Sequence, residues 1–438
     1  MLKRLALALV LASLSLAVSM PARAAEAAAD TAPQGIVLKA ARLFDGTADK
    51  LVTPGIVVIS GGKITAVGSD ASAPAGARVV DLGDATLLPG LIDAHVHLTQ
   101  EMSDNWYHDF ADNLLQLAPE KALLATQYAK RTLEAGFTTV RNVGADDYVD
   151  VGLRNAIAAG VIEGPRMLIA VHAIGSTGGH GDGPPVDPRL VHPFGPLDGV
   201  CNGADECRAA VRYQIKYGAD VIKFMPSGGV LSLSDPVDAP ELSQQEMNAI
   251  VEEAHNWGRK VAAHCHGDAA AKMAVFAGVD SIEHGSFIKP ETLTQMRDKG
   301  IYLVPTLMAG EWLSERLDKF PPAIATKAKA AVAARSDMFR NAVKLGVKIA
   351  FGTDAAVYPH GLNGKEFGLM TGLGMTPVAA LHSATTVAAS LLGVDDRGSL
   401  AAGKLADIIA VPGNPMDDIK VMERVSFVMK DGVVVKGK

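Results

Sequence analysis

The chain has 438 residues, 48% of them hydrophobic and 20% charged, with a formal net charge of −7. That balance excludes a disordered or collagen-like chain, and the lack of a basic excess argues against a nucleic-acid partner. The length implies one large domain with an accessory one, or two to three domains.

Lys3 and Arg4 precede an apolar run from Leu5 to Val18, and Ala22-Arg23-Ala24 supplies a small-x-small cleavage site. Residues 1–24 therefore read as a secretory leader. The run is shorter than the roughly 20 residues a spanning helix needs. No membrane association is expected after cleavage, and the protein is expected to be periplasmic or secreted. In an oxidising compartment Cys201 and Cys207, in CNGADEC, are close enough to bridge a small loop, with two free thiols as the alternative. Cys265 lies in an apolar run and reads as a buried, inert thiol.

Residues 33–88 read as short strands joined by turns: IVLKAARLF, GIVVIS and KITAVG, with Gly61-Gly62 where a hairpin turn belongs. Residues 396–438 have the same texture, with ADIIAVPG, SFVMK and VVVKG around Asp431-Gly432. Each segment alone has too few strands to bury a face, so one small β-sandwich built from both ends is expected. Between them, residues 89–395 alternate apolar strands with helical stretches. The strand candidates are LLPGLIDAHVHL, FTTVRNVG, RMLIAV, DVIKFMP, KVAAHCH, DSIEHGS, IYLVPT and KIAFGTDA. This α/β pattern predicts a parallel sheet closed as a (β/α)8 barrel. An open doubly wound sheet is the rival, but no glycine-rich dinucleotide fingerprint follows any strand. The Gly- and Pro-rich stretch from His172 to Gly203 is the longest irregular insertion.

Polar groups fall at the C-terminal ends of these strands, where barrel enzymes place their chemistry. His95 and His97 are two apart on a strand, so both imidazoles share a face and reach one ion. Lys223, His264, His284 and Asp354 follow at later strand ends, and His266 shares the face of His264. A charged lysine inside VIKF is costly without a partner such as Asp220 or Glu283. Desolvation and nearby cations favour the neutral amine instead, which can take up carbon dioxide as a carbamate able to bridge two metal ions. A helix cap at Asp354 and a satisfied core histidine at His266 are the plain alternatives.

The chain resembles the amidohydrolase superfamily, and within it the secreted prolidase-like and imidazolonepropionase-related metal-dependent hydrolases. The resemblance rests on LLPGLIDAHVHL, TTVRNVG, GGHGD, IKFMPSGGV, AAHCHG, SIEHGS, FGTDA and GSLAAGKLADIIAV, and so spans nearly the whole chain after the leader. It implies a distorted (β/α)8 barrel beside a small β-sandwich formed by both termini. It further implies that His95 and His97 bind one divalent ion and His264 and His284 a second. A carboxylated Lys223 would bridge them, and Asp354 would ligate the first and shuttle protons. His180 in GGHGD and His266 would contact the substrate. One departure is Asn142, where many relatives read Arg-Asp.

The resemblance thus implies a binuclear hydrolase, zinc suiting the imidazole and carboxylate donors. Its substrates would be short peptides or N-acyl amino acids, aryl amides such as ochratoxin included. A lactonase or cyclic-amidine deaminase could use the same metals. A metal-dependent binding protein would have no need of the proton shuttle at Asp354. The expected partners are a small substrate and a second copy of the chain.

Overall fold

The computed structural model describes residues 35–189, 192–233 and 235–437, so the expected leader lies outside the described residues. Seven parallel strands span Leu91–Val96, Phe137–Asn142, Arg166–Ile169, Val221–Phe224, Lys260–Cys265, Ser281–His284 and Tyr302–Val304. They are counted below as barrel strands one to seven. The first three form one ladder and the last four another. At one seam Ile174 pairs with Phe224, and the Ile174 N–H donates to Lys223 O at 2.8 Å.

At the other seam the expected eighth strand, KIAFGTDA, is not a regular strand. Asp354 and Ala356 have φ of 60° and 133°, which breaks an extended backbone. The segment still closes the ring, because Ile349 pairs with Leu303 and Ala355 with Val96. The Ala94 and His97 N–H groups donate to Phe351 O and Ala355 O at 2.8 and 2.9 Å. The result is a distorted (β/α)8 barrel.

The helices form where apolar residues recur at helical spacing behind a cap. Ser243 and Glu246 make a capping box, each accepting from the other's N–H, and start Gln244–Asn256. Met247, Ile250, Val251 and Ala254 then share its buried face. Burying each of the larger ones contributes about 1.5–3 kcal/mol. No helix among the described residues is long and apolar enough to cross a membrane.

Two further sheets pack into a sandwich. One contains Ile36–Ala40, Gly55–Ser60, Lys63–Val67 and Arg78–Asp81; the other joins Arg42–Leu43 and Ala85–Pro89 to Ile408–Pro412, Phe427–Lys430 and Val433–Lys436. The run IVLKAARLF is thus divided between both sheets at Ala41. Leu38, Val57, Ile59, Leu87, Ile408, Phe427 and Met429 fill the space between them. Ala85–Pro89 leads through Gly90 directly into the first barrel strand. A Cβ at Gly90 would collide with the Thr138 side chain, so glycine permits that close junction. Cys201 and Cys207 are joined by a disulfide at the start of helix Ala204–Lys216, and Cys265 is a free, buried thiol.

Candidate metal centre

His95, His97, His180, Lys223, His264, His266, His284 and Asp354 all line one cavity of about 390 Å³ at the C-terminal rim of the barrel. Their rings stand in contact: His95 and His284 have centroids 4.9 Å apart, His264 and His284 4.6 Å, and His180 and His264 4.4 Å. Asp354 Oδ1 lies 3.4 Å from His95 Nε2 and 3.5 Å from His97 Nε2. His95, His284 and Asp354 each turn one ligand atom inward, the three within 4.8 Å of one another. The disulfide is not part of this cavity.

Each imidazole spends one nitrogen on the protein. His95 Nδ1 meets Glu283 Oε2 at 2.7 Å, and His97 Nδ1 donates to Gly144 O at 3.0 Å. His284 Nδ1 lies 2.7 Å from Thr306 Oγ1, His266 Nδ1 2.8 Å from Ser286 Oγ, and His264 Nε2 3.3 Å from Gly228 O. The partner fixes the ring and leaves the other nitrogen for a ligand. Burial, partly offset by the Asp354 carboxylate, pushes the His97 imidazole down to about 4. Burial also drives His264 and His284 well below their ordinary range, and with the charge of His180 takes His266 down to about 3. Neutral imidazoles and an ionised carboxylate are what a divalent cation of zinc's type requires, so the residues present fit such an ion.

Lys223 is 1% exposed and forms no ion pair among the described residues. Burial lowers its ammonium to about 8, opposed by the Glu283 and Asp354 carboxylates. The partners considered for it are otherwise engaged. Asp220 pairs with Arg154 at 3.2 Å, and Glu283 with Arg141 at 2.9 Å. Burial raises Glu283, but Arg141 and then His95 outweigh it and hold the carboxyl at about 2.

His284, Thr306 and Asp354 have φ of 67°, 48° and 60°. Three neighbouring strand ends therefore sit in left-handed backbone that ordinary residues avoid, a strain sustained by their surroundings. Behind Thr306, the Glu366 carboxyl accepts from the Leu307 and Met308 N–H groups at 2.8 and 2.6 Å.

Arg141 and Glu283 were not singled out from the sequence as a braced pair, although a charged residue inside each of TTVRNVG and DSIEHGS was the available signal. Thr306, Ser286 and Ser232 gave no such signal. Asn142 keeps a bracing role despite the departure noted above. Its Oδ1 accepts from Leu98 N–H at 2.7 Å, and its Nδ2 donates at 3.2 Å to Gly144 O, the same carbonyl that holds His97.

A barrel whose rim gathers imidazoles, a buried amine and a carboxylate presents a donor set that could hold a divalent ion. The amidohydrolase family model matches residues 86–435. A Xaa-Pro dipeptidase with methionine bound in its active site is 42% identical, covers 92% of this chain and 100% of that one, and superposes with a TM-score of 0.86. A prolidase complexed with N-methylphosphonate-L-proline is 31% identical, with the same coverage and a TM-score of 0.84. Ochratoxinase of Aspergillus niger is 33% identical over 427 residues, covering 92% of this chain and 86% of its own. The chain belongs to the amidohydrolase family and is a hydrolase acting on C–N bonds.

Proposed function

We propose that this enzyme cleaves the amide bond of short peptides or N-acyl amino acids and releases the C-terminal residue. The observation that carries the reading is the convergence of all eight residues on one cavity. His95, His97 and Asp354 would hold one divalent ion, His264 and His284 a second, and Lys223 as a carbamate would bridge them. For that, the neutral Lys223 amine adds to the carbon of carbon dioxide and loses a proton. Such ions supply, when bound, an acidified water and a Lewis acid for the carbonyl.

Asp354 is held below the usual carboxylate range, burial being outweighed by His95, His97 and Lys223. Ionised at neutral pH, its Oδ takes a proton from the attacking water and returns it to the leaving amine. His180 Nδ1 lies 3.1 Å from Ser232 Oγ. The Ser232 hydroxyl donates to Gly229 O at 3.2 Å, so His180 Nδ1–H donates to Ser232 Oγ and Nε2 is left as a free acceptor for a substrate contact. His266, turned by Ser286, stands on the same side of the cavity. The names of the relatives, a Xaa-Pro dipeptidase and ochratoxinase, support a substrate with a free C-terminal amino acid. Residues 1–24 support a periplasmic or secreted location.

Elemental analysis and a panel of dipeptides, N-acyl amino acids and lactones test this. Two divalent ions per chain and turnover of free-acid amides are expected, and Asp354→Asn lowers kcat by roughly 10²–10⁴ with folding retained. Turnover confined to lactones, or an unchanged rate in that variant, refutes the reading.

A further inference from the structure

The segment after the fourth strand, residues 226–241, contacts three of the cavity's histidines yet contains no regular helix or strand among its described residues. Gly228 O meets His264, the His266 N–H donates to Ser227 Oγ at 2.9 Å, and Ser232 Oγ meets His180. Gly229 lies flat against the His180 ring, where a Cβ would collide with the imidazole. Val230 and Leu231 form part of the cavity wall. An irregular segment that places this many groups needs an attachment to the rest of the fold.

Lys327 provides one. It projects from helix Pro322–Leu345, which follows the seventh strand, and its side chain is 13% exposed. Its Nζ donates to Gly229 O at 2.7 Å, Ser232 O at 2.6 Å and Asp235 O at 3.1 Å. An ammonium has three N–H donors, and here three carbonyls of one loop receive them. The Asp235 carboxylate completes the cage, with Oδ1 3.7 Å from Nζ and Oδ2 accepting from the Gly229 N–H at 2.6 Å. The ammonium thus ties the loop after strand four to the helix beyond strand seven.

We infer that Lys327 is a positioning residue: it latches the 226–235 loop so that His180 and His264 keep their ring orientations over the cavity. The role of those two rings in turnover rests on the proposed function; the latch itself does not. The test is Lys327→Met, read first by ¹⁵N-histidine NMR of the metal-free protein. The His180 and His264 side-chain signals shift or broaden, while those of His255 and His382, remote from the loop, stay in place. With metal, kcat falls about tenfold, as small misplacements of reacting groups do, and the second ion binds about tenfold more weakly. The effect on kcat is not additive with Ser232→Ala, which removes the hydroxyl on His180 and leaves the ammonium cage intact. If Lys327→Met does not fold, Lys327→Gln, which keeps two donors, gives the same readings at reduced size. Unchanged His180 and His264 signals, or strictly additive rate effects, overturn the latch. A wild-type protein that hydrolyses no amide refutes the proposed function instead, and the NMR comparison still decides the latch.

Discussion

His95 and His284 stand ring against ring at the cavity, and they are held by different physics. His95 is braced by a carboxylate, Glu283, which is itself paired with the buried guanidinium of Arg141 and accepts from Ser281 Oγ at 2.5 Å. Arg141 also donates to Ala94 O, the carbonyl immediately before His95. By contrast, His284, His266 and His180 rest on the neutral hydroxyls of Thr306, Ser286 and Ser232. A buried ionic brace holds rigidly and is costly to break from one side, because the remaining charge is stranded. A hydroxyl brace orients a ring with little charge at stake. One half of the rim is thus built as a fixed support, the other as an adjustable one.

Lys223 is the residue proposed to bridge both ions, so its removal has the largest expected effect. Lys223→Ala should lose both ions and turnover, with partial recovery on adding short carboxylic acids; full metal content in that variant would refute a bridging carbamate. Next comes the ionic brace. Glu283→Gln leaves Arg141 buried without a counter-charge and should destabilise the fold by about 3–5 kcal/mol, read by denaturant unfolding. Thr306→Ala, on the hydroxyl side, should instead weaken ion affinity roughly 10–100-fold with a far smaller change in unfolding midpoint. Equal stability losses in the two variants would erase the distinction.

A pH slope behind Thr306 is the last expected effect. Burial, partly offset by the two backbone hydrogen bonds, raises Glu366 from 4.5 to about 8. The folded state therefore holds this proton more tightly than the unfolded chain does. That contribution to stability is complete below 4.5 and is lost as pH rises through about 8. Glu366→Gln should flatten unfolding free energy over that interval; an unchanged slope assigns it to other groups.

Seven barrel strands were legible as short apolar runs, and His95, His97, Lys223, His264, His266, His284 and Asp354 because they stand at strand ends; His180, in the loop segment GGHGD, was legible only through the family resemblance. The eighth segment misled because KIAFGTDA has a strand's composition, while its left-handed residues depend on packing that no local pattern records. The division of IVLKAARLF was hidden for the same reason: the change of sheet at Ala41 is set by which neighbours each half meets. The ionic brace was hidden by distance, since Arg141 and Glu283 are 142 residues apart in the chain. Lys327 was less visible still, one lysine among several on a polar-faced helix, its role defined by carbonyls that any sequence carries.

The left-handed backbone at His284, Thr306 and Asp354 also bears on how this protein would respond to laboratory evolution. Glycine or asparagine would relax each position, yet none of the three can change without taking a working group from the cavity. A screen rewarding heat resistance alone would therefore drift toward replacements there and enrich robust, inactive molecules. Improvement that keeps catalysis must be sought elsewhere, in the sandwich or on the outer helices, with those three codons held constant.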